Sequence, residues 1–223
     1  MLEIDILLLN IYYNMEVRCH IRSRMAENLP QPLREVIREC IERVMQQSLQ
    51  PFNHNLVYIE DVDKADVILD IDVSTGNPFV YIIPAFDYDQ NKCYISISLC
   101  INIAPLPDHF SLHLFYMRKN NILLSYAICK TIFTIYKFIG IINEQDMLNL
   151  YAGASYYLRQ FLTNTYNSNK DKNDNVTSIF NSGPLFAVII DPYKIYQKYL
   201  TMRDDIMKQV EKLKRMQDSN TPP

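Results

Sequence analysis

Twenty residues of this chain, ILLSYAICKTIFTIYKFIGI at 122–141, are apolar on nearly every side when wound as a helix. Such a helix has no face to offer water, so other elements must cover most of its girth. It is no membrane span, because Lys130 and Lys137 interrupt it and no apolar run in the chain reaches the roughly 18 to 20 residues a bilayer requires. The rest of the sequence must therefore supply a sheet and further helices broad enough to bury it. Gly140 predicts where it stops.

The covering elements are legible upstream. EVRCHIRS alternates Val17, Cys19 and Ile21 with Arg18, His20 and Arg22, the period of a half-buried strand. After Pro30 and Pro32, an apolar stripe of Leu33, Val36, Ile37, Cys40, Ile41, Val44 and Met45 predicts an amphipathic helix over 33–47, ended by Pro51. Strand patterns follow at NLVYIE, at ADVILDIDV with Val67, Leu69, Ile71 and Val73 on one face, at PFVYII, and at KCYISISLC with Cys93, Ile95, Ile97 and Leu99 on one face. Residues 2–13 are also apolar and β-prone. SLHLFYM reads equally as strand or helix, and Asn120 or Asn121 can cap the buried helix behind it.

Downstream, Asn143 caps a helix from Glu144 to about Tyr166, with Asp146 in the first turn where a carboxylate suits the helix dipole. NSNKDKNDN is a solvated loop and GPLFAVII a short strand. Asp191 and Pro192 open a last helix to about Gln217. The predicted fold class is α+β: a mixed twisted sheet of about five strands with an amphipathic helix and a buried central helix, plus C-terminal helices. Residues 1–166 form the core domain, 167–184 the polar loop, and 185–223 a strand and a C-terminal helical arm. On that arm Tyr199, Met202, Ile206, Val210 and Leu213 make a narrow stripe, suited to one partner helix on another subunit or to folding back on its own domain.

Charge removes several functions. With 22 Lys and Arg against 25 Asp and Glu, net charge is -3, and no global basic field exists to draw nucleic acid or an anionic membrane. Sixteen tyrosines then read as core and interface residues rather than as a stacking platform. Five cysteines, widely spaced and without C-x-x-C, point to buried free thiols. MLEIDILLLN carries acids where a secretory signal wants a basic start, so an intracellular, non-secreted protein, cytoplasmic or nuclear, is expected. Abundant Asn, Ile, Tyr and Lys with no Trp and four Gly is the profile that AT-rich coding gives, as in many insect viruses, parasites and some bacteria.

Catalytic constellations are few. His109 and His113 in DHFSLHLF would share a helical face, with Asp108 as a third group, but Phe110 stands where a helical zinc protease keeps its glutamate base. If the segment is a strand, the two histidines lie about 13 Å apart, too far for one ion. Asp70 and Asp72 alternate with the apolar face of their strand and mark its solvated side. No phosphate loop can be written with glycines only at 76, 140, 153 and 183, and no G-x-S-x-G elbow occurs. Cys129 sits on the most hydrophobic helix, which disfavours a thiolate. No cofactor and no small-molecule substrate is indicated.

The order of elements from about 15 to 142 resembles the catalytic domain of metzincin zinc proteases, matrixins in particular: DVDKADVILDIDV is similar to their third strand and KFIGI to the end of their active-site helix. The resemblance implies H-E-x-x-H-x-x-G-x-x-H around Gly140. In that register the histidine positions hold Phe133, Lys137 and Asn143, and the glutamate position holds Thr134. None of these side chains supplies the zinc ligand or the general base that the chemistry needs. The expectation is a non-catalytic structural or assembly protein on a degenerate metalloprotease-like scaffold, self-associating as a homo-oligomer or ordered assembly. A viral source would make it a particle or occlusion-body component. Two alternatives stand beside it: a metal-dependent hydrolase using His109, His113 and Asp108, and an adaptor binding a partner through its C-terminal helix.

Overall fold

The computed structural model describes the backbone of residues 15–103, 110–171 and 191–218, and within them all side chains except those of 110–117, 161, 164–171, 213–214 and 216–218. Among the described residues five strands and four α-helices follow one another: β1 (Met15–Met25), α1 (Gln31–Leu49), β2 (His54–Tyr58), β3 (Val67–Thr75), β4 (Phe79–Asp87), β5 (Lys92–Ile101), α2 (Phe110–Phe138), α3 (Glu144–Asp171) and α4 (Pro192–Asp218). The α+β class, the five-stranded mixed sheet and the buried central helix stand as the sequence predicts.

The sheet order is β2-β1-β3-β5-β4, all neighbours parallel except β4 with β5. A helical crossover carries β1 to β2, which is how parallel neighbours have to be joined. β4 and β5 need only a tight turn, and Asp87 makes it by accepting the backbone N–H groups of Asp89 and Gln90 at 3.1 and 3.0 Å. Asn91 takes the left-handed conformation that Asn tolerates.

Alternation decides which side of the sheet is dry. Val17, Cys19, Val67, Leu69, Ile71, Val73, Cys93, Ile95, Ile97 and Leu99 are all buried, in one cluster with Ile37, Ile41 and Met45 of α1 and Leu124, Ile128, Ile132, Ile135 and Tyr136 of α2. The intervening residues make the open side, where the acids of β3 meet arginines of β1. Asp70 pairs with Arg22 at 3.1 Å, and Asp66, just before β3, pairs with Arg18 at 2.7 Å. Asp66 and Asp70 thus lie on a solvated face with arginines from the adjacent strand set against them.

Gly140 closes α2 at φ +79°, and the Ile141 N–H reaches back to the Tyr136 carbonyl at 2.8 Å. Asn143 caps α3 by accepting the Asp146 N–H at 2.8 Å, and Asp191 caps α4 by accepting from Tyr193 and Lys194 at 3.0 and 3.2 Å. Of the two readings open for SLHLFYM the helix holds, and α2 begins at Phe110, because no glycine or proline interrupts 110–139. Two expectations need correction. Asn120 and Asn121 are interior and cap nothing. Instead, the Asn120 carboxamide donates to the Asn102 carbonyl at 2.8 Å and accepts its N–H at 3.1 Å, tying α2 to the end of β5. Lastly, α3 runs to Asp171, beyond Tyr166 and into the expected loop, since nothing between Ala154 and Asp171 breaks it. Residues 2–13, the rest of the loop and the strand at 185–190 lie outside the described residues.

Candidate functional site

The last two turns of α2 are where the metzincin resemblance implies zinc ligands. Phe133 is fully buried, 6.3 Å from the Tyr136 ring. The Thr134 hydroxyl donates to the Lys130 carbonyl at 2.8 Å and meets the hydroxyl of Tyr151. Over that tyrosine lies Lys130 Nζ, 4.4 Å from the ring centroid.

Lys137 is the most unusual of the four. Its side chain is only 11% exposed, with Nζ 3.9 Å from the Phe86 ring centroid and 4.8 Å from that of Tyr88, whose hydroxyl it also contacts. Glu144 Oε2 stands 3.8 Å away. A cation held between a β4 ring and the β4–β5 turn ties the sheet edge to α2. Asn143, at the fourth position, is committed to capping α3. Each of the four therefore packs, caps or braces.

Among the described residues no three His, Cys, Asp or Glu side chains gather closely enough to hold an ion. Asp108 and His109 lie outside the described residues, and His113 is placed only as backbone in the first turns of α2. His20 is engaged through Nδ1 with the Ile59 carbonyl at 3.0 Å. None of the five cysteines is in a disulfide, and all are buried. Burial pushes the thiols of Cys19 and Cys93 up to about 12 and raises that of Cys129 as well, the opposite of what a nucleophile needs.

The C-terminal helix divides into two unlike halves. In the first, Tyr193 and Tyr196 close an aromatic cluster around Phe52, with ring centroids 5.7 Å from it, and Tyr136 completes the group 5.5 Å from Tyr196. Tyr136 itself donates to the Ser48 carbonyl at 2.8 Å. One turn on, the Tyr199 hydroxyl donates to Asp146 Oδ1 and accepts from Asn149 Nδ2 at 3.2 Å, while Arg203 Nη1 meets Asp146 Oδ2 at 3.1 Å. Asp146 is thereby the clasp of the arm. Its place in a first helical turn is legible in sequence, its partners 53 and 57 residues away are not.

Beyond Arg203 the helix leaves the body. Met202, Ile206 and Met207 are 55–56% exposed and Val210 is 39% exposed, with no described neighbour covering them. Of the five stripe residues, Tyr199 is used within the chain, Met202, Ile206 and Val210 face solvent, and the Leu213 side chain lies outside the described residues. Among the described residues no helix is long and apolar enough to cross a membrane. Comparison with protein families, with characterised proteins and with solved structures finds no match to this chain.

Proposed function

We propose that this protein is a non-catalytic assembly module that self-associates through the outer half of α4, on a scaffold related to metzincin proteases. The observation that carries the reading is the divided helix: clasped at Tyr196, Tyr199 and Arg203, it holds an apolar stripe that no described residue covers. Monomeric proteins seldom display such a stripe without a use for it. The scaffold part is supported by the order of elements on which the resemblance rests, strand, amphipathic helix, four strands and long helix, and the non-catalytic part by residues at 133, 134, 137 and 143 that pack, brace or cap.

The partner that fits best is a second copy lying antiparallel. Asp204 begins the exposed segment and Lys212 stands toward its end, so a two-fold axis near Lys208 sets Asp204 against Lys212 at both ends. The same axis brings Ile206 opposite Val210. Strand addition at the other exposed surface is a poorer route. Edge strand β4 offers Phe79, Tyr81 and Ile83 at 50–62% exposure, but Pro84 removes an N–H from its free side.

Sedimentation of the full chain tests this. A dimer or larger species at tens of micromolar is expected, reduced to monomer by Ile206→Asp or Val210→Asp with unchanged circular dichroism. A chain that stays monomeric at several hundred micromolar overturns the proposal.

A further inference from the structure

A cavity of about 500 Å³ opens at the carboxyl end of β1, between Ser23, Arg24 and Met25 and the first two turns of α1, where Gln31, Arg34 and Arg38 face it. Three arginine residues line it beside one glutamate, Glu35, which is bonded to Gln31 at 3.1 Å, and Arg38 also pairs with Glu42 at 2.6 Å. Along β1, Arg22 closes on Asp70 at 3.1 Å, yet Arg24 forms no ion pair with its own register partner Asp72.

Arg34 is positioned as ligand-binding arginines are. Its Nε donates to the Leu29 carbonyl at 2.9 Å and its Nη2 to the carbonyls of Ala26 and Glu27 at 2.9 and 3.0 Å. Three carbonyls fix the plane without neutralising the charge, and both Nη1 donors remain without a partner among the described residues. Arg38 is similarly steadied by one bond, Nε to Glu42 Oε1 at 2.6 Å, leaving its Nη groups available. A fork held still in advance loses little entropy on meeting an oxyanion. α1 adds field of the same sign, since its N-terminus carries no side-chain cap and no acid in the first turn.

We infer that this cavity is a binding site for a small organic phosphate, a phosphomonoester with an apolar body. The Nη groups left open on Arg34 and Arg38 match the several oxygens of a phosphate, and Met25 offers the remainder an apolar wall. The site is separate from the α4 stripe and does not depend on the assembly proposal.

Calorimetric titration of the full chain with phenyl phosphate, benzoate and phenol decides it. One saturable site for phenyl phosphate is expected, at least ten-fold weaker for benzoate and absent for phenol. Arg24→Glu and Arg38→Glu, both at exposed positions, should each weaken phenyl phosphate at least ten-fold, while Arg215→Glu on the distant arm leaves it unchanged. No saturable binding, equal affinity for benzoate, retained affinity in both pocket variants, or an equal loss in the Arg215→Glu control overturns the inference.

Discussion

Arg203 and Asp146, 57 residues apart, meet at 3.1 Å and hold the C-terminal helix against the start of α3. Asp146 is buried, so removing its cation leaves a carboxylate facing only Tyr199 and the helix terminus. Arg203→Ala is expected to lower stability by about 1–2 kcal/mol in urea unfolding, the range for losing one charged hydrogen bond at a partly exposed site. It should also speed amide exchange selectively over residues 192–203. Asp146→Asn, which keeps an acceptor for Tyr199, should cost less; an equal or greater loss would mean that the ion pair is not what holds the arm.

The cysteines give a prediction independent of the arm. Cys19, Cys93 and Cys129 are fully buried with thiols raised by burial, and Cys40 and Cys100 are at most 5% exposed. Iodoacetamide at pH 8 should therefore modify almost none of the five in the native chain and all five in urea, as counted by mass. Rapid native labelling of even one would show local opening that the packing does not imply.

The fold was legible where one rule decided the outcome. Period-two alternation placed Val67, Leu69, Ile71 and Val73, and the cap residues Asn143, Asp191 and Gly140 marked boundaries that the hydrogen bonds reproduce. Reading failed where local chemistry allowed two uses. Asn120 has the right chemistry for a cap, but its carboxamide serves a backbone 18 residues back, and only the distance between β5 and α2 could reveal that. The candidate sites were less legible still. Arg24, Arg34 and Arg38 look like ordinary solvated residues of two amphipathic elements, and only the crossover from β1 to α1 brings them to one cavity. The stripe on α4 was visible as a stripe, but which part of it would be clasped depended on Asp146.

Acid should weaken the sheet at one definable place. Asp66 accepts from Arg18 three times, from the backbone N–H at 2.9 Å, Nε at 3.0 Å and Nη2 at 2.7 Å. Burial alone would raise its carboxyl, but Arg18 outweighs this and holds it below the usual carboxylate range. A depressed native value means stabilisation that is complete above the unfolded value near pH 4 and lost as pH falls through the lower native one. Asp66→Asn is expected to cost about 1 kcal/mol at pH 7, kept small by solvent at the pair. Denaturation midpoints of parent and variant should converge below about pH 4. A gap that persists unchanged to pH 2 would assign the loss to packing rather than to charge.

Two glycines should respond with opposite signs to the same change. Gly140 ends α2 at φ +79°, and a Cβ built there meets no heavy atom within 4 Å, so strain is confined to the backbone. Gly140→Ala is expected to destabilise by about 1 kcal/mol. Gly140→Asn should cost less, because Asn tolerates the left-handed region. Gly153 lies inside α3 in a helical conformation, and a Cβ there also meets nothing within 4 Å. Gly153→Ala removes only the freedom of the unfolded chain and should stabilise by about 0.5–1 kcal/mol. Urea midpoints of the two alanine variants, measured side by side, must move in opposite directions; movement in the same direction would mean that one helix end or the other is not built as described.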